Sequence, residues 1–255
     1  MDKAKGAVEA DVLAKERAFI EDISGDYPGN MSSFEKSVRR AAMNAIKACA
    51  PRGCSALELG CADGYMSTML AEYAGRHVVV DASTRFIEES RKQVPAKVEF
   101  VESLFETYVP DEPFDLVVMS FVLEHVLDPV ALIRASLGWL KPDTGHVFAV
   151  VPNMRALSRL LGRTMGVVGE LDELTPNDLA HGHRRCYDRT RFDREVTSAG
   201  GHVVLRGGLM LKPFANFQMD KIIDEAIIGE AQLSGLEKLG QEFPDACAAL
   251  YSMFK

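Results

Sequence analysis

Residues 56–70 read ALELGCADGYMSTML. An apolar run stops at Gly60, passes through Cys61, Ala62, Asp63 and Gly64, and resumes with helical spacing from Tyr65. A strand that turns through glycines into a helix brings backbone close to whatever it faces. The unpaired N–H groups at the helix start add donors there.

Outward from this turn, short apolar runs alternate with helical patterns. SALEL (55–59) reads as a buried strand and 64–74 as a helix; HVVVD (77–81) is a second strand, followed by a helix from Thr84 to about Gln93. KVEFV (97–101), FDLVVMS (114–120) and HVFAVVP (146–152) supply three more strands. The fourth is a continuous apolar run of the kind a central parallel strand shows. Ile133, Leu137 and Leu140 are spaced i, i+4, i+7, so the segment between strands four and five packs one helical face inward. Alternation at this spacing implies a parallel sheet with helices on both faces.

The ends differ. Helices are expected over about 7–21 and 33–49, forming an N-terminal cap (1–50) on a main domain (51–255). An irregular stretch of about 153–187 follows strand five and reads as a lid and acceptor-site insertion. A helix over 188–199, a strand HVVLRGGLM, a long helical region of about 214–240 and a last strand, AALYSMF, complete the chain.

Composition bounds the function. The 255 residues are 47% hydrophobic and 26% charged, which excludes a disordered chain. No apolar run nears the roughly 20 residues of a bilayer helix, and the first residues lack the apolar core of a secretory signal. A cytoplasmic protein without a membrane partner is expected. The net charge of −8 argues against nucleic acid, whose binders show a basic stripe. Five scattered cysteines contain no CxxC pair and suggest reduced thiols. Assembly is left open, a homodimer included.

Two ligand classes use such a turn: dinucleotides and S-adenosylmethionine. The dinucleotide pattern GxGxxG puts a pyrophosphate on the helix N-terminus. Here Gly64 comes one residue early, and Asp63 and Glu58 would set negative charge beside a phosphate. Carboxylates suit a ligand with an ammonium and a sulfonium and no phosphate. Asp81 ends the second strand, where an acid accepts from ribose hydroxyls; as a helix cap it would compete with Ser83 and Thr84. An NAD(P)-dependent oxidoreductase and a non-catalytic cofactor-binding protein are the alternatives.

The segments LELGCADG, VVVDAS, FVESLFE, FDLVVMSFVLEHVLDP and LKPDTGHVFAVVPN together resemble the class I S-adenosylmethionine-dependent methyltransferases. The resemblance is specific from about 55 to 152 and looser beyond. Ala62 departs from it, standing where the family's E/D-x-G-x-G-x-G motif has its middle glycine. The family's fold is a Rossmann-like α/β architecture: a seven-stranded, mostly parallel sheet with an antiparallel last strand. The resemblance implies that Gly60, Cys61 and Ala62 line the methionine part of the cofactor with Glu58 nearby. It places Asp81 and Ala82 at the ribose, Ser103 and Leu104 beside the adenine, and Ser120 and Phe121 beside the sulfonium. Tyr27, Arg39 and Arg40 are candidates for the cofactor's carboxylate.

Methyl transfer needs alignment, and a hydroxyl or ammonium acceptor also needs a base. EHVLDP offers Glu124, His125 and Asp128 at the mouth of strand four, where His125 either braces the loop or moves a proton. TPNDLAHGHRRCYD concentrates His181, His183, Arg184, Arg185 and Tyr187. His183 is the first choice of base, then His125, with Tyr187 a further catalytic candidate. Arg184 and Arg185 would pair with an anionic acceptor. Asn153, Lys212 and Asn216 at the same rim would hydrogen-bond it. In the ubiquinone-pathway O-methyltransferases a similar EH segment carries an additional acid and binds a metal. Phe121 occupies that acid's place here, so no metal is expected. The substrate is expected to be a small polar molecule, such as a sugar or an acid, methylated on O, N or a carboxylate.

Overall fold

A computed structural model describes residues 2–26 and 31–255. Two helices, α1 (Asp2–Asp26) and α2 (Ser33–Cys49), precede the alternating region. That region runs β1 (Ser55–Leu59), α3 (Tyr65–Tyr73), β2 (Arg76–Asp81), α4 (Thr84–Arg91), β3 (Glu99–Glu102), β4 (Leu116–Ser120), α5 (Pro129–Gly138) and β5 (His146–Pro152). Then come α6 (Leu157–Thr164), α7 (Pro176–Ala180), α8 (Arg189–Ser198), β6 (Val203–Leu211), α9 (Asn216–Asp224), α10 (Glu230–Glu242) and β7 (Cys247–Phe254).

The strands form one sheet in the order β3-β2-β1-β4-β5-β7-β6. β1 to β5 pair in parallel, and β7 runs antiparallel to both β5 and β6. The order reverses between β1 and β4, so a crevice opens at their carboxyl ends, where ligands bind in open α/β sheets.

Period-two alternation divides the strand side chains between two cores. Ala56, Leu116, Val118, Phe148 and Val150 face α2, α3, α9 and α10, meeting Met43, Ile46, Leu70, Met219 and Leu233. Leu57, Leu59, Val117, Met119, Val147 and Val151 face α5 and α8, meeting Ile133, Phe192 and Val196. Each large side chain so buried contributes up to about 1.5–3 kcal/mol, an upper bound because unfolded chains are themselves partly compact.

The helices start where their caps dictate. Ser32 and Glu35 form a capping box on α2, Asp128 caps α5 ahead of Pro129, and Asp188 caps α8. α2 shares the core through Phe34, Val38, Ala42 and Ile46, whereas α1 contributes nothing to the three hydrophobic clusters among the described residues. The expected helix over 214–240 is two helices, broken where Ala226 adopts φ 55°. The stretch 153–187 contains α6 and α7. Among the described residues no helix is long and apolar enough to cross a membrane.

Candidate active site

The turn after β1 is built around Asp81. Its Oδ2 accepts from the Cys61 N–H at 2.9 Å and its Oδ1 from the Ser83 N–H at 2.9 Å. The carboxylate thereby ties the glycine turn to the end of β2. It is 5% exposed, and burial raises its pKa against the opposing pull of those N–H donors. Oδ2 also accepts from the Cys61 thiol at 3.5 Å, which leaves Oδ1 with a further acceptor position. Ser103 donates its N–H to the Asp81 carbonyl, which sets the end of β3 beside it, and Ala82 and Leu104 are buried there. Below the turn, Glu58 is 1% exposed; His77 Nε2 lies 3.0 Å from its Oε2, and its Oε1 has no partner. Asp63, the acid that argued against a phosphate, accepts from the Met31 and Tyr65 N–H groups and so joins the chain entering α2 to the start of α3.

At the mouth of β4 the Ser120 hydroxyl is buried and unpartnered, and Phe121 adopts φ 62°. The Arg39 guanidinium lies 3.7 Å from the centre of the Phe121 ring. Arg40 instead faces Ser37 and Glu230, and Tyr27 falls outside the described residues. Three residues beyond Phe121, Glu124 is fully buried with neither carboxylate oxygen partnered. Burial pushes it up to about 7, although His183 and Arg39 pull the other way.

Two loops then converge. The His125 and His183 rings sit edge to face at 4.8 Å, and His181 lies 6.4 Å from His183. His183 Nδ1 lies 3.4 Å from Asp178 Oδ1. Burial alone would lower its pKa, but Asp178 and the charge of Glu124 outweigh burial and raise it. Burial and the neighbouring His183 take His125 down to about 3, so it stays neutral. Glu124, His125 and His183 each bring one ligand-type atom within 4.8 Å of the others.

Glu58 and Asp81 thus lie at the carboxyl ends of β1 and β2, and Glu124 and the Asp178–His183 pair lie beyond β4. The Methyltransferase domain family covers residues 34–205. The chain belongs to this family. It is a class I S-adenosylmethionine-dependent methyltransferase. The ubiquinone biosynthesis O-methyltransferase of Idiomarina loihiensis is 27% identical over 176 residues, which cover 66% of this chain and 70% of that protein. The enzyme of the same name from Xanthomonas campestris is 33% identical over 148 residues, covering 50% of this chain and 59% of that one. The solved DhpI-SAM-HEP complex superimposes with a TM-score of 0.60 at 18% identity, over 95% of this chain and 97% of the other.

Gly64 adopts φ 82° at the start of α3, and Ala62 adopts φ 45° in the slot of the family's middle glycine. Glycine relieves about 1–2 kcal/mol of left-handed strain and gives back about 0.4–1 kcal/mol in unfolded-chain entropy. Ala62→Gly is therefore expected to stabilise the fold by about 0.5–1 kcal/mol, read by urea denaturation.

Four expectations for the acceptor side are corrected. Tyr187 is a core residue, its hydroxyl donating to Glu195 Oε2 at 2.7 Å with the Leu123 carbonyl at 3.2 Å, so it moves no substrate proton. Asn153 is buried; its Nδ2 donates to the Asp245 and Cys247 carbonyls and its Oδ1 accepts from Arg155. Arg185 gives its guanidinium to the Leu123, Val126 and Leu127 carbonyls and braces the loop after β4. Arg184 pairs with Glu16 of α1 instead of standing free for an anion. Lys212 and Asn216 remain at the rim, hydrogen-bonded to each other, with Lys212 lowered by burial to about 8.

Asp178 and Glu16 carry weight that the sequence reading missed. A signal for Asp178 exists: it closes a capping box with Thr175, which fixes the carboxylate five residues before His183. Glu16 lies in a polar helix with no distinguishing pattern.

Proposed function

We propose that this methyltransferase acts on an oxygen of a small polar acceptor, a hydroxyl on a sugar or an acid, with His183 as general base. The Asp178–His183 pair at the mouth of β4 carries this reading. A carboxylate acceptor needs no base, and a held imidazole with raised basicity would then be idle. The relatives named as O-methyltransferases support transfer to oxygen.

S-adenosylmethionine, when bound, supplies a methyl group on a sulfonium leaving group. Asp81 and Ala82 would hold its ribose, Ser103 and Leu104 flank its adenine, and Glu58, Gly60, Cys61 and Ala62 line its methionine end, beside Ser120 and Phe121. Asp178 orients His183 through Nδ1 and leaves Nε2 to take the acceptor proton as the new O–C bond forms. Lys212 is the rim cation left to meet an acidic group of the acceptor.

The test is a mass-spectrometric screen of hydroxy acids, phenols and sugars for methylated product, followed by the pH dependence of kcat. His183 must be neutral to act, and its pKa is raised, so turnover should climb with pH through a midpoint above the ordinary imidazole value of about 6.5. Asp178→Asn removes an interaction that raises it and should move that limb to lower pH. A limb unmoved by Asp178→Asn would reject the pairing.

A further inference from the structure

Helix α1 touches both halves of the site, mostly through charged side chains, while contributing nothing to the hydrophobic clusters among the described residues. Near its middle, Glu16 is 6% exposed and accepts two hydrogen bonds from Arg184, at 2.8 and 3.1 Å. The same guanidinium stacks 4.4 Å from the Phe19 ring centre. Gly182 is seated on α1 too: a Cβ there would fall 2.2 Å from Ile23 Cδ1. The residues on either side of His183 are therefore both clamped by one helix. The Arg184 N–H donates to the Glu124 carbonyl, which ties that loop to the mouth of β4.

About one and a half turns further on, α1 grips the other half. Glu21 accepts from the Ser83 hydroxyl at 3.2 Å and the Thr84 N–H at 2.9 Å, next to Asp81. Arg85 donates to the Gly25 carbonyl, and Arg17 pairs with Glu102 at the end of β3. Asp81 itself is buried beside this grip. A helix held by ion pairs and absent from the hydrophobic clusters belongs to the low-stability part of a fold, where lids are drawn from.

We propose that α1 is a clamp that couples closure over the nucleoside to placement of His183, and that Glu16 is the positioning residue of that coupling. This rests on His183 being the base; the clamp itself is tested without turnover. Cofactor binds first, α1 reseats on Ser83 and Thr84 through Glu21, and Glu16 then draws Arg184 and the His183 loop into register.

Hydrogen exchange with S-adenosylhomocysteine as the probe decides it. In the native chain, saturation with the probe should slow amide exchange at 182–184 by about ten-fold or more. Glu16→Gln should abolish that slowing and weaken the calorimetric Kd for the probe by no more than that same factor of about ten, because the Glu21 grip is intact and coupling is reciprocal. The charge swap Glu16→Arg with Arg184→Glu should restore the slowing. With an active acceptor in hand, Glu16→Gln should lower kcat by about ten- to a hundred-fold and raise the KM for S-adenosylmethionine by no more than about ten-fold. Equal protection of 182–184 in Glu16→Gln and the native chain would overturn the clamp. Full turnover in His183→Ala would remove the base and leave the exchange result standing.

Discussion

His183→Ala should lower turnover by about 10²- to 10⁴-fold, the usual worth of a positioned general base, while the affinity for S-adenosylmethionine barely changes. The two effects separate because the imidazole belongs to the acceptor loop. Its neighbours include Asp178, Glu124, His125 and His181, and among the described residues it has no hydrogen bond or ion pair with the glycine turn or Asp81. The fold should survive the truncation. Asp178 keeps its hydrogen bonds from Thr175 and its ion pair with Arg159 at 3.3 Å, so no buried carboxylate is stranded. Glu124 loses a favourable charge and shifts further toward its neutral form, which a buried carboxylic acid tolerates. Steady-state kinetics paired with calorimetry give both readings. Turnover at the native level would show that His183 is no base, and His125, already neutral, would be the next candidate.

The fold was legible where backbone pattern alone decides it. Central strands buried on both faces read as unbroken apolar runs, and the β-α alternation follows from their spacing. The break between α9 and α10 was not legible, because it turns on Ala226 in a left-handed conformation, three residues before the lone Gly229 that precedes α10. On the cofactor side, the strand pattern placed Glu58 and Asp81 at the carboxyl ends of β1 and β2, but not the bonds they make there to His77 and to the Cys61 and Ser83 N–H groups. The acceptor side was harder. Residue type names a chemistry but not its partner: Arg185 and Tyr187 look like catalytic equipment in sequence and are consumed by backbone carbonyls and Glu195 in space. Arg184 finds Glu16, 168 residues away along the chain, and nothing local announces that pairing.

Gly64→Ala is the second large effect expected, and it reaches the cofactor site through packing. Gly64 sits at φ 82°, and a Cβ there would meet Ser90 Oγ at 2.7 Å and Ser90 Cα at 2.9 Å. The hydroxyl could rotate away, but the Cα belongs to α4 and moves only if the helix moves. Left-handed strain of about 0.5–1 kcal/mol net of unfolded-chain entropy and overpacking of about 1–3 kcal/mol together predict a loss of about 2–4 kcal/mol. For a chain of this size that lowers Tm by about 5–15 °C. Displacing α4 also drags Ser83 and Asp81, which are joined to the turn by the Cys61 N–H, so affinity for S-adenosylhomocysteine should fall by about ten-fold or more. Gly53 provides the internal control: it shares the conformation, φ 84°, but nothing lies within 4 Å of its Cβ position. Gly53→Ala therefore carries the strain alone, less the unfolded-chain entropy it gains, and should cost about 0.5–1 kcal/mol with cofactor affinity intact. If the two variants melted together and bound the probe equally, the close approach of α4 to Gly64 would have no part in shaping the site.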